Sequence, residues 1–135
     1  MKREIKFRAY SSHNHRMYPV SNIEWDLDGR IWVIADDGKN GIELIDEEAH
    51  LMEYTGLHDK NGREIYEGDI VRTGTDNIGD PDPMIGQVIM QDGSWLIENE
   101  EKQEAIDLFS EITSREVIGN IFEDKQLLEG EHEQK

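Results

Sequence analysis

The chain opens on a strict alternation. In Arg3-Glu4-Ile5-Lys6-Phe7-Arg8-Ala9-Tyr10, the apolar Ile5, Phe7 and Ala9 alternate with the charged Glu4, Lys6 and Arg8, which is the period of a strand buried on one face and solvated on the other. Ser11-Ser12-His13-Asn14-His15 then reads as a polar turn. Two β-rich runs come next, Ile23 to Leu27 and Arg30 to Ile34, separated by Asp28-Gly29. An Asp-Gly pair between such runs signals a hairpin, because glycine adopts the positive φ of a tight turn at little cost. Ile23, Trp25 and Leu27 are expected on one face of the first strand, and Trp32 and Ile34 on one face of the second. Asp37-Gly38 and Asn40-Gly41 break the chain before Ile42 to Ile45. Asp46 to Ala49 predicts a short helical turn, since acids suit a helix N-terminus.

From Met52 the elements shorten. Met52 to Leu57 leans to strand, Asp59-Lys60-Asn61-Gly62 is a turn, and Arg63 to Tyr66 returns from it. Glu67-Gly68-Asp69 turns again into Ile70-Val71-Arg72. Asp76 to Pro83 is a loop by composition. Gln87 to Gln91, Asp92-Gly93 and Ser94 to Glu98 predict a second hairpin. Asn99 to Ser110 predicts a helix, with Ala105, Ile106 and Phe109 on one face. Val117 to Phe122 is the closing strand, and 130–135 a polar tail. The reading is a mainly β protein with minor α structure: short strands at close spacing, separated by glycine turns, favour a strongly bent antiparallel sheet or barrel. The expected division is an N-terminal β-rich portion over 1–65 and a second portion over 66–129, within one compact unit.

Charge changes this picture more than composition does. Across 135 residues, 31 Asp and Glu against 14 Lys and Arg give a net charge of −17. Residues 1–16 hold five Lys or Arg and one Glu, a net +4, so the other 119 residues carry −21. Lys2, Arg3, Lys6 and Arg8 are thus a candidate basic surface; the plainer reading is one solvated strand face set beside acidic strands. Strong overall acidity opposes generic affinity for nucleic acid or anionic membrane. The apolar stretches are too short for a transmembrane helix, and no signal-peptide core is expected near Met1. The absence of cysteine excludes disulfides, zinc ribbons and thiol catalysis, and fits a reducing cytoplasm.

Motifs for chemistry are sparse. His13-Asn14-His15 shares only its letters with a nuclease motif, whose residues span a much longer module. Glu24, Asp26, Asp28 and Gly29 imitate the start of an EF-hand loop, but the twelfth position is Ala35, not a bidentate glutamate. Asp76, Asp80 and Asp82 could gather around a hard cation, although Asp and Asn are also ordinary turn residues. No phosphate loop, nucleophile elbow or zincin helix occurs. No catalytic, cofactor or metal residue is assigned, and an enzyme is not expected. Ten aromatics are enough for a core, and Trp32, Tyr66 and Trp95 join the basic residues as candidates for a binding platform.

The segment Leu51 to Val71, with Tyr54-Thr55-Gly56-Leu57, Asp59, Asn61-Gly62, Ile65-Tyr66 and Gly68-Asp69, resembles the signature of the YopX family of bacteriophage and prophage proteins. Arg3 to Tyr10 is similar to that family's first strand, where a Trp is more usual at the last position. Glu116-Val117-Ile118-Gly119-Asn120-Ile121-Phe122-Glu123 is similar to its closing strand. Gly74 to Met84 and Glu98 to Arg115 align with no motif. The resemblance implies a β-rich N-terminal portion joined to a C-terminal SH3-like barrel beginning near Tyr66 to Val71, and it carries over no activity. By their own chemistry the glycines at 56, 62 and 68 punctuate short strands, and Asp59 and Asp69 bond turn amides. The expected role is a non-enzymatic accessory protein binding a macromolecule, protein rather than nucleic acid, in the host cytoplasm. The alternatives are an acidic decoy that mimics DNA, and nucleic-acid binding through the basic first strand. Self-assembly through an edge strand is open.

Overall fold

The computed structural model of the chain describes residues 5–36, 41–45, 48–74, 84–109 and 114–129. Lys2, Arg3, Asp46, Glu47, the Asp76 to Pro83 loop and the 130–135 tail lie outside these residues. The chain divides into two compact units, Met1–Tyr54 and Thr55–Lys135. The division falls after Tyr54, where side-chain bonds turn toward later residues. The buried Thr55 hydroxyl donates to the Ile65 carbonyl at 2.7 Å and accepts from the Leu57 amide at 3.2 Å. The molecule is mainly β, with two antiparallel sheets and one short helix.

The first unit is a meander of β1 (Phe7–Ser11), β2 (Arg16–Trp25), β3 (Ile31–Asp36) and β4 (Gly41–Ile45), with β5 (Ala49–His58) lying beside β1. The polar turn after β1 forms as expected: the Ser11 hydroxyl accepts the His13 and Asn14 amides at 3.2 Å, and His15 takes a φ of 61°. Ala49 begins β5. Ala9, Tyr18, Val33, Ala35 and Leu44 form the core on one face of the sheet. Register explains it: Ala9 faces Tyr18, Val33 faces Leu44, and a bulge between Val20 and Asn22 keeps Ile23 opposite Val33. Ile5 departs from the expected alternation and is 69% exposed.

The Asp28-Gly29 hairpin is real, but its loop spans residues 26–30, since the last pair is Trp25 with Ile31. Asp26 organises it. Its carboxylate accepts the Asp28 and Arg30 amides at 2.9 Å and the Trp32 indole N–H at 3.2 Å. The Arg30 amide and the Trp32 indole hold this carboxyl below its ordinary pKa. Of the imitated EF-hand acids, Asp26 therefore serves a turn, while Glu24 lies within β2 and accepts the Asn22 side-chain amide at 2.9 Å. Leu27, expected on a strand face, sits in the loop and is fully exposed, and Trp25 at the strand end is 66% exposed.

In the second unit, β6 (Glu64–Tyr66) lies beside the end of β5. A further sheet has the order β10-β9-β8-β7-β11, from β7 (Asp69–Gly74), β8 (Met84–Gln91), β9 (Ser94–Asn99), β10 (Glu104–Asp107) and β11 (Ser114–Asn120). Among the described residues neither sheet closes into a barrel. The core cluster gathers Val71, Met84, Val88, Trp95 and Ile97 from this sheet with Ile65 of β6 and Leu108 just past β10, and Leu57, Ile106 and Val117 pack against it. The Asp92-Gly93 turn is the predicted two-residue hairpin: Gln91 pairs with Ser94, and both turn residues have positive φ, 53° and 83°.

The helix expected over Asn99 to Ser110 is corrected to a hairpin, β9–turn–β10, over the described residues. Asn99 donates to the Ile85 carbonyl at 2.6 Å and accepts the Lys102 amide at 3.0 Å, while Gln103 takes a φ of 56°. The acidic run 100–104 has no apolar residue to seat a helix, and Ile106 packs into the core from a strand. The helix that does form is α1 (Gln126–Glu129).

Asp59 closes one end of this sheet. One carboxylate oxygen accepts the Asn61 and Arg63 amides at 2.9 Å, and the other accepts the Val117 amide of β11 at 2.9 Å. The Lys60 amide donates to the Arg115 carbonyl beside it. Burial opposes ionisation of Asp59, but the Val117, Arg63 and Asn61 amides and the Arg63 charge outweigh it and lower its pKa. Asp69, 1% exposed, accepts the Tyr66 amide at 2.8 Å. Gly56, Gly62 and Gly68 all have φ between 86° and 93°.

Candidate functional site: an acidic groove on the second unit

The groove is assembled by the closing strand. A bulge between Val117 and Gly119 bends β11, and Asn120 then builds the turn into α1. Its side-chain oxygen accepts the Phe122 and Glu123 amides at 3.0 Å, its side-chain nitrogen donates to Glu123 at 2.8 Å, and its amide donates to the Asp124 carboxylate at 3.1 Å. A Cβ on Gly119 would lie 2.6 Å from that same carboxylate, so glycine is what lets the turn close here. The turn delivers α1 against β8.

The floor comes from β8 and β9. The sheet's outer face carries Gln87 opposite Glu98 and Ala105 opposite Glu98 on the other side. Gly86 permits the close approach, since a Cβ there would stand 2.7 Å from the Glu98 carbonyl oxygen. Between α1 and the β9–β10 turn lies a depression of about 380 Å³, lined by Gln87, Glu98, Asn99, Glu100, Glu101, Lys125 and Leu128. A second, of about 460 Å³, shares Glu98, Asn99 and Glu100 and adds Gln103, Glu104 and Ala105. Together they make a trough with four carboxylates, at positions 98, 100, 101 and 104, against one ammonium, Lys125. Asn99, only 4% exposed, fixes its centre through its two hydrogen bonds. Such a lining suits lysine or arginine side chains, which carboxylates bind by charge-assisted hydrogen bonds. Among the described residues no cluster of three or more His, Cys, Asp or Glu is placed to hold a metal ion.

The residues singled out in the sequence are not brought to this groove. Lys2 and Arg3 lie outside the described residues. Lys6 sits with its ammonium 5.5 Å from the Tyr54 ring centre, a cation–π distance. Arg8 is partly buried, between Pro19 and Met52 in register. Trp32 is partly buried and holds Asp26. Tyr66 donates its hydroxyl to Glu64 at 3.1 Å. Trp95 is 8% exposed in the second unit's core, on the same face of β9 as Ile97. The groove was missed because Gln87, residues 98–105 and residues 125–128 share no local motif. The available signal was the Glu98 to Glu104 acidic run, which reads as a solvated helix face unless the β9–β10 turn is recognised.

The fold has known relatives. A crystal structure of protein yopX from Bacillus subtilis superposes with a TM-score of 0.63 at 16% identity, covering 90% of this chain and 96% of that one. The crystal structure of protein EF1440 from Enterococcus faecalis superposes with a TM-score of 0.57 at 22% identity, covering 94% and 99%. No curated protein matches the sequence. The family model described as YopX protein matches residues 6–129, which takes in every described strand and α1. This chain belongs to the YopX family.

Proposed function

We propose that the chain is a non-enzymatic binding module, an accessory protein of phage or prophage origin that acts in the host cytoplasm and receives a basic segment of a protein partner. The acidic groove carries the proposal: glutamates 98, 100, 101 and 104 gather over a concave surface, where low-dielectric walls focus the field on an incoming cation. The second unit, taken as an SH3-like barrel portion, presents that groove on its outer face. No cofactor enters the reading. No helix among the described residues is long and apolar enough to cross a membrane.

A second reading is favoured by one observation, the net charge of −17: a decoy that imitates DNA and occupies a host DNA-binding protein. Nucleic-acid binding through the first strand has less support, since the Lys6 ammonium is engaged over Tyr54 and Arg8 is partly buried. Affinity capture from host lysate at low and high salt separates them. The groove reading expects a protein that is lost at high salt, and lost from a Glu98→Lys, Glu100→Lys variant at low salt. A captured protein that DNA displaces from both forms equally supports the decoy. Capture of nucleic acid itself overturns both.

A further inference from the structure

We propose that the groove's partner binds as an added β-strand on the outer edge of β10, with lysine or arginine side chains meeting Glu98, Glu104 and Asp107. This rests on the reading of the groove as a site for a basic protein segment, and specifies how that segment is held.

The two ends of the second unit's sheet are treated differently. At β11 the edge is occupied: Lys60 donates to the Arg115 carbonyl, and the Val117 amide is taken by Asp59. At the other end β10 pairs with β9, and among the described residues no strand lies on its outer side. An edge of this kind offers a row of backbone donors and acceptors to an extended peptide. Here the edge is also a wall of the groove, since Glu104 and Ala105 line the larger depression with Glu98 and Glu100.

Chemistry selects the occupant. Two copies paired edge to edge through β10 would bring Glu104 and Asp107 of each against an equally acidic edge, and like charges across a strand pair destabilise it. A basic strand reverses the sign of both contacts. With the incoming strand antiparallel to β10, the residue opposite Asp107 is basic and the residue opposite Ile106 is apolar, because Ile106 packs on the core side. The residue opposite Ala105 is a long cation on the side of Glu98, which pairs with Ala105. The residue opposite Glu104 is basic again. Just past the strand, Phe109 is 50% exposed, with its amide held by the Asp107 carboxylate at 2.9 Å. Its ring offers a face to a further arginine or lysine.

The test titrates the full chain with a synthetic peptide containing Lys-Val-Lys-Lys, with a copy N-methylated at alternate backbone amides, and with a Lys→Glu copy, while amide exchange is followed by NMR. The expected result is salt-sensitive binding of the first peptide, slowed exchange in β10, and affinity lowered about tenfold or more by N-methylation, which removes backbone hydrogen bonds. Glu104→Lys is expected to weaken the first peptide similarly, with the thermal midpoint of the exposed-site variant unchanged. If the methylated copy binds equally and β10 exchange is unaltered, strand addition is wrong while the groove reading stands. If no basic peptide binds at low salt, both are wrong. If the Lys→Glu copy binds as well as the first, the charge selection is wrong.

Discussion

Asp59 joins two stretches of backbone, its own turn and β11, through one carboxylate, accepting amides from Asn61, Arg63 and Val117 at 2.9 Å. Its side chain is fully buried while its guanidinium partner, Arg63, is largely in solvent, so the amides matter more than the ion pair. Replacing Asp59 by Ala leaves these donors without an acceptor and is expected to cost about 3 kcal/mol, read from urea denaturation. The pH dependence has a definite sign. The folded-state pKa lies below the ordinary value of 3.8, so the stabilisation is fully present above the unfolded pKa and is lost as pH falls through the folded one. Asp26 is shifted the same way. Stability is therefore expected to fall on acidification below pH 3.8, and Asp59→Asn to flatten that decline.

Short elements joined by turns of fixed chemistry make up most of the fold, and legibility tracked turn chemistry. Asp92-Gly93 names its own geometry, and the structure repeats it residue for residue. Asp28-Gly29 marked the hairpin but not its loop, because the carboxylate that widens it is Asp26, two residues earlier. The misread helix failed for a similar reason: Ala105, Ile106 and Phe109 fit a helical face, while Asn99, which decides the matter, acts across the sheet on Ile85. The four-residue α1 is shorter than the window in which helical periodicity can be seen. Gly68 tests the turn argument directly. At φ 88° it donates to the Val88 carbonyl, and its own carbonyl accepts the Ile121 amide. Gly68→Val is expected to lower stability by about 2 kcal/mol, visible as a lower melting temperature. Unchanged melting would mean the turn tolerates a side chain.

At the scale of the molecule, the sequence made the β-rich class and the family readable and left the groove unread, because charge runs do not reveal which face of a sheet they reach. The inner strands of the second unit hold deeply buried side chains, with Ile70, Val71, Val88 and Ile97 all at 1% exposure or less. Hydrogen exchange is expected to be slowest in β7, β8 and β9 and faster in β10 and β4, each paired on one side only among the described residues; equal protection across these strands would contradict that ordering. The closure of β11 by Asp59 and Lys60 has a last consequence, for stoichiometry. Among the described residues that sheet has one accessible end, so strand addition at β10 is expected to stop after one strand rather than propagate through the second unit. For a partner strand added at β10 the expected stoichiometry is one to one, which the end point of a titration reads.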